Sequence, residues 1–543
     1  MNDDTNGRPS VLTQLRRMDP VIFGVSAILT VAFVLWGVLD QKGMIAAVGK
    51  AFTWTTVDWG WLYLLSAFAV VIAALVAMFG RYGAVKLSRH GEKPEFSDFA
   101  WFAMLFGAAI AAGIVFWGPA EPAYDWMTVP PYFHDAPMSS GAAVHAMTYS
   151  FFHWGLTPWA IYAVLTVAVA LGAYRKGLPF RFSTAFYYVI GDRVRGGWGK
   201  VLDIFAVIVT LGGLATTTGL IAFQLSAGLK FQYGLVLGKD AAYLIIGLLT
   251  LIFAIAAYTG LHRGIKFLGT FRTWVFIAIW LFVLLLGPTL FLINLTIDAT
   301  GQYLLNLVPM SLYTGIGDTT NWLGSWTIFY WAWWMAWAPF VAVFIARISK
   351  GRSVRQLVAF TLLLPSLADM LWYGVIGGSG IKYNITGALK KNGVESAIFA
   401  TAHHLPLTSI LVVVILVLIV AFFLTVADSA SVSLAMFTSR EEDPNKYLRL
   451  FWAIALGAVA AVLAATGSLQ AVQTASIVTA FPMAFLLFVV IYAVFRGLNE
   501  EIRDSSLQDV AEGAVQTASY GQSMSDRLTG GAAAVNQERA GTD

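Results

Sequence analysis

Apolar runs of about twenty residues recur along almost the whole chain, near 20–39, 59–80, 99–117, 141–172, 201–229, 241–258, 268–292, 323–346, 357–376, 407–437, 448–466 and 472–495. A helix needs roughly 20 such residues to cross about 30 Å of hydrocarbon, and it satisfies its own backbone hydrogen bonds while doing so. The pattern predicts an all-α integral membrane protein with about twelve transmembrane helices. Runs 141–172, 201–229 and 407–437 exceed the minimum, which implies tilt or extension past the bilayer. Composition agrees: 58% hydrophobic and 12% charged side chains, against roughly 25% charged in a soluble domain, leave too little polar surface for life in water.

Positive loops stay in the cytoplasm. One alternate set of loops carries Arg81, Lys86, Arg89 and Lys93, then Arg175, Lys176 and Arg181, then His262, Arg263 and Lys266, and continues with Arg347 to Arg355 and Arg440 to Arg449. The opposite loops at 118–140 and 293–322 contain no Lys or Arg, and Lys382, Lys390 and Lys391 weaken the bias without reversing it. Both termini are therefore expected in the cytoplasm, in the inner (cytoplasmic) membrane of a cell. Asp3, Asp4, Arg16 and Arg17 precede a full-length apolar run, which reads as an anchor and not as a cleaved signal. Segment 297–312 is amphipathic and suits a helix at the outer interface, whereas the polar stretch after 497 is expected to be disordered.

With no Cys anywhere, disulfides, thiolate metal sites and Cys nucleophiles are excluded. The net charge of +4 indicates no nucleic-acid partner. Ionisable residues inside apolar runs are costly and therefore informative. They are Glu121, Asp125, His145, His153, Asp203, Asp369 and Asp428. For Glu121 and Asp125 the expected place is the outer water interface. His145 and His153 fall on the same or adjacent faces of one helix without a ligand pattern for metal or haem. Scattered groups of this kind do not make an enzyme.

Gly107 to Gly113 reads GAAIAAG and is followed by Gly118 and Pro119. Small residues can simply let helices approach closely; together with Pro they can also unwind a helix at mid-membrane and turn backbone groups toward a ligand. Aromatic residues are sharper. Trp322, Trp326, Trp331, Trp333, Trp334 and Trp337 crowd one run. Trp322 and Trp326 suit an interfacial belt. At 100° per residue Trp333, Trp334 and Trp337 fall within an arc of about 100°, with Trp331 to the side. A second cluster, Trp154, Trp159 and Tyr162, lies in the fourth run, where Pro158 is expected to interrupt the helix. Such rings either fill a large bundle or box a cation that hydrogen bonds cannot satisfy, such as a quaternary ammonium, at about 0.5–2 kcal/mol per ring.

At these residues the sequence resembles the betaine/choline/carnitine transporter family, from about Asp19 to Arg496. The resemblance is carried by FYWAWWMAWAPFVAVFIARISKGRSVR at Phe329 to Arg355. FWGPAEP at Phe116 to Pro122, FHWGLTPWAIY at Phe152 to Tyr162 and ADSAS at Ala427 to Ser431 support it. It implies two inverted five-helix repeats of the sodium-coupled amine transporter type, preceded by two extra helices. The implied divisions are a cytoplasmic N-terminal segment 1–19, the extra helices in 20–98, a first repeat in 99–292, an outer interfacial helix in 293–322, a second repeat in 323–496 and a cytoplasmic tail 497–543. It further implies a homotrimer.

Carried across by position, the resemblance implies an aromatic box of Trp154, Trp159, Tyr162 and Trp334. Trp337 then lies near the anionic end of the substrate, with Trp333 beside it, and Trp331, Phe340 and Phe344 line the exit path. The family's glycine-rich stretch maps onto Ala109, Ala111 and Gly113, two of which are alanines here. Choline-selective members resemble one another in an aspartate at the position of Gly113, and its absence favours a zwitterion such as glycine betaine. One implied Na⁺ site uses Gly107 and Ile110 with Phe422, Thr425 and Val426; a second uses Thr210 and Thr217, with Leu214 where a polar residue is usual. The expected function is import of a small quaternary-ammonium or sulfonium compatible solute by alternating access, with Na⁺ as coupling ion and no other cofactor. The alternatives are a Na⁺-independent exchanger, which the Val426 and Leu214 substitutions favour, or a proton-coupled transporter, of carnitine-, choline- or sulfonium-type substrates.

Overall fold

The computed structural model describes residues 18–88, 92–109, 113–236, 241–259, 262–441 and 444–539. Among these residues there is no strand, only isolated bridges between Met18 and Ser439 and between Lys86 and Ser353. The long helices are α1 (Pro20–Leu39), α2 (Gln41–Thr53), α3 (Gly60–Phe79), α4 (Asp98–Ala109), α5 (Gly113–Thr128), α6 (Ser140–Trp154), α7 (Leu156–Ala170) and α8 (Gly197–Tyr233). They continue with α9 (Ala241–Thr259), α10 (His262–Leu286), α11 (Thr289–Ser311), α12 (Thr327–Ile348), α13 (Val354–Trp372), α14 (Thr408–Phe437), α15 (Lys446–Ala464) and α16 (Leu469–Arg539). Eleven spans among the described residues are long and apolar enough to cross a membrane. The remaining run, 99–117, is shared between α4 and α5, with 110–112 between them outside the described residues. This is an all-α integral membrane protein.

The chain divides into two units, one ending at Val494 and one beginning at Phe495. The second is helical through Arg539, where the sequence had suggested disorder. No Pro occurs there, and its many Ala, Gln, Glu and Arg residues are good helix formers. The expected interfacial helix begins at Thr289, eight residues before the predicted start, directly after the Gly287–Pro288 break. The connection after α1 is itself helical, because the Asp40 carboxylate caps α2 by accepting from Gly43 N at 2.9 Å.

Centre and rim are written in the side chains. The spans containing α6–α7 and α12 are each 94% buried, whereas α1 and α10 bury only 22%. The buried ones carry the Trp, Tyr and His residues of the centre, and the rim shows lipid mostly Val, Leu and Ile, with Trp36, Phe267 and Trp274 among its exposed side chains. The fourth run breaks at Gly155 (φ −90°, ψ −132°), not at Pro158 as the sequence had suggested. Pro158 sits in the first turn of α7, where its missing N–H costs nothing. A side chain at Gly155 would meet Phe151 O at 2.4 Å and the Tyr303 hydroxyl at 2.8 Å, and that hydroxyl accepts from Leu156 N at 2.9 Å. Glycine thus turns α6 into α7, between Trp154 at the end of one helix and Trp159 in the first turn of the next.

The basic loop after α12 is a clasp. Leu87 N donates to Arg352 O and Val354 N to Val85 O, both at 2.9 Å. Arg352 pairs with Asp98 and lies 4.4 Å over the Trp101 ring, whose N–H donates to Ser349. This fixes the start of α4 to the end of α12.

Candidate substrate site

The ring of Trp334, on α12, stands at the middle of a group from α6 and α7. Its centroid lies 5.3 Å from Trp154, 5.6 Å from Trp159 and 5.4 Å from Tyr162, at interplanar angles of 78°, 57° and 60°. Trp159 and Tyr162 close the circuit at 5.7 Å and 87°. All four are buried. Trp334 is held by donation from its Nε1 to His153 O at 3.1 Å, so the last turn of α6 positions the α12 ring. Rings set edge to face in this way present negative π-faces from several directions to one region.

Trp333 points to the neighbouring side of α12. Its Nε1 is shared between Gly213 O and the Thr217 hydroxyl at 3.3 Å each, and its ring fills the space beside Gly113. Trp337 continues that stripe, 6.4 Å from Trp333 and 5.3 Å from Phe340. The Trp337 Nε1 is buried without a protein partner, a donor free for an anionic group. Trp331 is not on this stripe; it packs against Phe152 at 5.0 Å and His153 at 5.8 Å on the opposite flank. Phe344 lies one turn beyond Phe340 and is half-buried. The helix backbone of Gly107 and Ala109 is described but not the surroundings of their side chains, and Ile110 and Ala111 lie outside the described residues.

Glu121 and Asp125, expected at the outer interface, are instead fully buried, and so are Trp322 and Trp326. For Glu121 the reason is mutual satisfaction, whereas both Asp125 oxygens are buried without a hydrogen-bond partner among the described residues. Glu121 Oε1 meets His153 Nδ1 at 2.6 Å, while its Oε2 accepts from the Tyr330 hydroxyl at 2.6 Å and from Trp154 Nε1 at 3.2 Å. His153 Nε2 meets the Thr327 hydroxyl at 2.9 Å. Trp322 packs on Tyr149 at 4.9 Å, and Trp326 on Trp117 at 5.4 Å and on Tyr124 at 5.0 Å. The other histidine of α6, His145, meets Asp135 at 2.5 Å and stacks on Phe133 at 3.8 Å. Asp203 receives the backbone N–H and hydroxyl of Ser183 at 2.9 and 3.0 Å. Among the described residues no group of three His, Asp or Glu could hold a metal ion.

Three residues at this centre went unassigned from sequence. Tyr330 lies three and four positions before Trp333 and Trp334, so helical spacing already put it on their face. Asp369 accepts from Trp159 Nε1 at 3.0 Å and is fully buried. Arg272, a basic residue inside an apolar run, is buried on α10; its guanidinium donates to the Thr425 hydroxyl and lies 4.9 Å over the Phe422 ring. An arginine thus occupies two of the residues implied for one Na⁺ site, and Val426 beside them is buried. In the other, Thr217 donates to Gly213 O at 3.1 Å, while the buried Thr210 hydroxyl has no protein partner.

Comparison with known proteins completes the picture. The family model described as BCCT, betaine/carnitine/choline family transporter, matches residues 21–503. A probable glycine betaine transporter of Desulfitobacterium hafniense is 38% identical, over 90% of this chain and 98% of its own length. The glycine betaine transporter OpuD of Bacillus subtilis is 37% identical, over 89% and 95% respectively. An ectoine/hydroxyectoine transporter of Virgibacillus pantothenticus is 36% identical, over 88% and 96%. Broken helices, a central group of indoles and a match along nearly the whole length make one conclusion: the chain is a transporter and no enzyme, and it belongs to the betaine/carnitine/choline family.

Proposed function

We propose that the protein imports a small quaternary-ammonium or related zwitterionic compatible solute, glycine betaine first, by alternating access. The observation that carries this reading is the packing of Trp154, Trp159 and Tyr162 within 5.3–5.6 Å of the Trp334 ring, with the free Trp337 N–H one turn of α12 away. A methylated ammonium has no N–H to donate, so π-faces hold it better than a lone carbonyl does. The indole N–H of Trp337 suits the carboxylate at the other end of a betaine. Relatives named for glycine betaine support the choice of solute. The proposed setting is the cytoplasmic membrane with both termini inside, as a homotrimer.

For coupling, the first reading is one Na⁺ near Thr210, whose buried hydroxyl is uncommitted. A specific observation favours a second reading, Na⁺-independent exchange. The Arg272 guanidinium engages Thr425 and Phe422, and a fixed cation there both supplies positive charge and repels Na⁺. Tryptophan-fluorescence titration of the purified protein with glycine betaine, choline, carnitine and dimethylsulfoniopropionate tests the box. Uptake into proteoliposomes with and without Na⁺, at fixed potential, tests the coupling: unchanged uptake without Na⁺ rejects sodium symport.

A further inference from the structure

Between α9 and α15 the surface is indented by a groove of about 480 Å³. Its walls are apolar, with Leu251, Ala254 and Ile255 on α9 and Leu450 and Ile454 on α15. The indentation arises where Gly247 and Ala254, two turns apart on one face of α9, leave space in front of a close helix contact: a Cβ at Gly457 of α15 would stand 2.2 Å from Thr250 Oγ1. The groove runs from Gly247 to Tyr258, about 16 Å at the rise of an α-helix. Half of a hydrocarbon core about 30 Å thick is about 15 Å, so its length is that of one leaflet.

Charge marks one end. Lys446 Nζ lies 3.2 Å from the Tyr258 hydroxyl and 4.4 Å over the Tyr258 ring, which itself lines the groove. Arg449, three positions further along α15 and so its neighbour on the helix surface, has its Nε buried without a hydrogen-bond partner. Among the described residues neither cation has a carboxylate within ion-pair distance, whereas Lys200, Lys350 and Arg352 pair with Asp19, Glu92 and Asp98. The positive charge at this end is left for a partner from outside the chain.

We propose that this groove binds one anionic phospholipid from the leaflet that the basic loops face. An acyl chain lies along it from Tyr258 toward Gly247, and the headgroup phosphate meets Lys446 and Arg449. The Tyr258 hydroxyl accepts from Lys446 and keeps its own hydrogen for a phosphate oxygen. Two cations at the membrane surface favour a net-negative headgroup over a zwitterionic one. The groove shares no residue with the aromatic box, so the site is independent of which solute is carried.

The test is native mass spectrometry of the full-length protein in detergent, titrated separately with phosphatidylglycerol and phosphatidylcholine of identical acyl chains. The wild type is expected to bind phosphatidylglycerol about tenfold more tightly. Lys446→Gln with Arg449→Gln should lower that affinity to the level of phosphatidylcholine, and Lys446→Arg should keep the preference. Gly247→Phe puts a ring into the groove, where a Cβ meets nothing within 4 Å, and should weaken phosphatidylglycerol about tenfold with every charge in place. Lys390→Gln with Lys391→Gln removes two exposed charges elsewhere and should change nothing. Charge and groove are altered in separate proteins, so misfolding of one leaves the other to decide. Equal affinity of the wild type for the two lipids overturns the inference. Unchanged phosphatidylglycerol binding in Gly247→Phe also overturns it, as does an equal loss in the Lys390 and Lys391 variant, since general surface charge then accounts for the binding.

Discussion

Glu121 and His153 meet at 2.6 Å, and neither side chain is exposed to solvent. The same carboxylate receives Tyr330 from α12 and Trp154 from α6, while the backbone carbonyl of His153 receives Trp334. Two of the four box rings are therefore aimed by one polar cluster. Breaking it should act on stability and on ligand binding together.

Glu121→Ala strands His153 Nδ1, the Tyr330 hydroxyl and the Trp154 N–H, at about 1–3 kcal/mol for each buried group left without a partner. A clear drop in melting temperature is expected, along with weaker binding of methylated ligands. In a double-mutant cycle, Glu121→Gln with His153→Gln should lose less than the sum of the single changes, because they share one network. Strict additivity in thermal unfolding would show that the pair does not act as a unit.

The box rings themselves should act on affinity. Trp334→Ala and Trp159→Ala are each expected to weaken a trimethylated ligand by about 1–2 kcal/mol, roughly 5- to 30-fold in Kd. Trp322 packs on Tyr149 and His153 without touching the box, so Trp322→Ala should lower stability by about 3–5 kcal/mol and leave the ranking of ligands unchanged. Equal affinity losses at all three positions in fluorescence titration would point to folding damage and not to a ligand box.

How these residues read in the sequence follows from the physics of each signal. Apolar runs and the helical phase of Trp333, Trp334 and Trp337 are local, so eleven spans and the aromatic stripe of α12 were visible beforehand. The fate of Glu121, Asp125, Trp322 and Trp326 was not, because burial depends on partners distant in sequence: Glu121 lies 32 residues from His153 and 209 from Tyr330. Gly155 and Pro158 show the same limit at short range. Proline is the stronger helix breaker in general, yet it sits harmlessly in a first turn while the glycine before it makes the bend. Arg272 was missed inside a run judged by its average hydropathy, though a single buried cation outweighs that average.

Arg272 makes a coupling experiment sharp. With its guanidinium on Thr425, adding one hydroxyl by Val426→Ser should change the Na⁺ response of uptake little, since the fixed cation stays. Combining Val426→Ser with Arg272→Gln removes that charge while adding an oxygen ligand, and uptake into proteoliposomes should then rise with Na⁺. A Na⁺ response in Val426→Ser alone would mean that Arg272 does not guard this position.

Asp19 supplies a pH-dependent clamp outside the spans. It caps α1 by accepting from Val21 N at 3.0 Å and Ile22 N at 3.2 Å, and it pairs with Lys200 of α8 at 3.1 Å. Partial burial by itself raises its pKa, but the hydrogen bonds from Ile22, Lys200 and Val21 outweigh this and hold the carboxyl below its usual value. The stabilisation is therefore complete above about pH 4, the ordinary aspartate value, and is lost as pH falls through the lower folded one. Asp19→Ala should cost about 1 kcal/mol at neutral pH. Its melting temperature should approach that of the wild type in acid, and a gap that stays constant down to strongly acidic pH would contradict the clamp.

Gly113 sets the depth of the aromatic stripe. A Cβ there would stand 2.3 Å from Trp333 Cη2, well inside contact distance, so even alanine requires the indole to move. That ring has little freedom: Phe329 stacks on it at 5.6 Å and 14°, and its N–H is held between Gly213 O and Thr217. Displacing it would also press on Trp337, packed edge to face against it, and Gly213 already lacks room on that side, since a Cβ there would meet Trp337 Cδ1 at 2.9 Å. Gly113→Ala is accordingly expected to reduce affinity for glycine betaine by about tenfold, an overpacking cost of order 1–3 kcal/mol passed along the stripe. Gly113→Asp should be worse than alanine for every ligand, because its carboxylate cannot reach the box without first evicting the ring. Shortening the obstacle should restore binding: Trp333→Leu on the Gly113→Ala background is expected to recover affinity relative to Gly113→Ala alone. A Gly113→Ala protein with wild-type titration curves would show that Trp333 yields freely and that the depth of the site is set elsewhere.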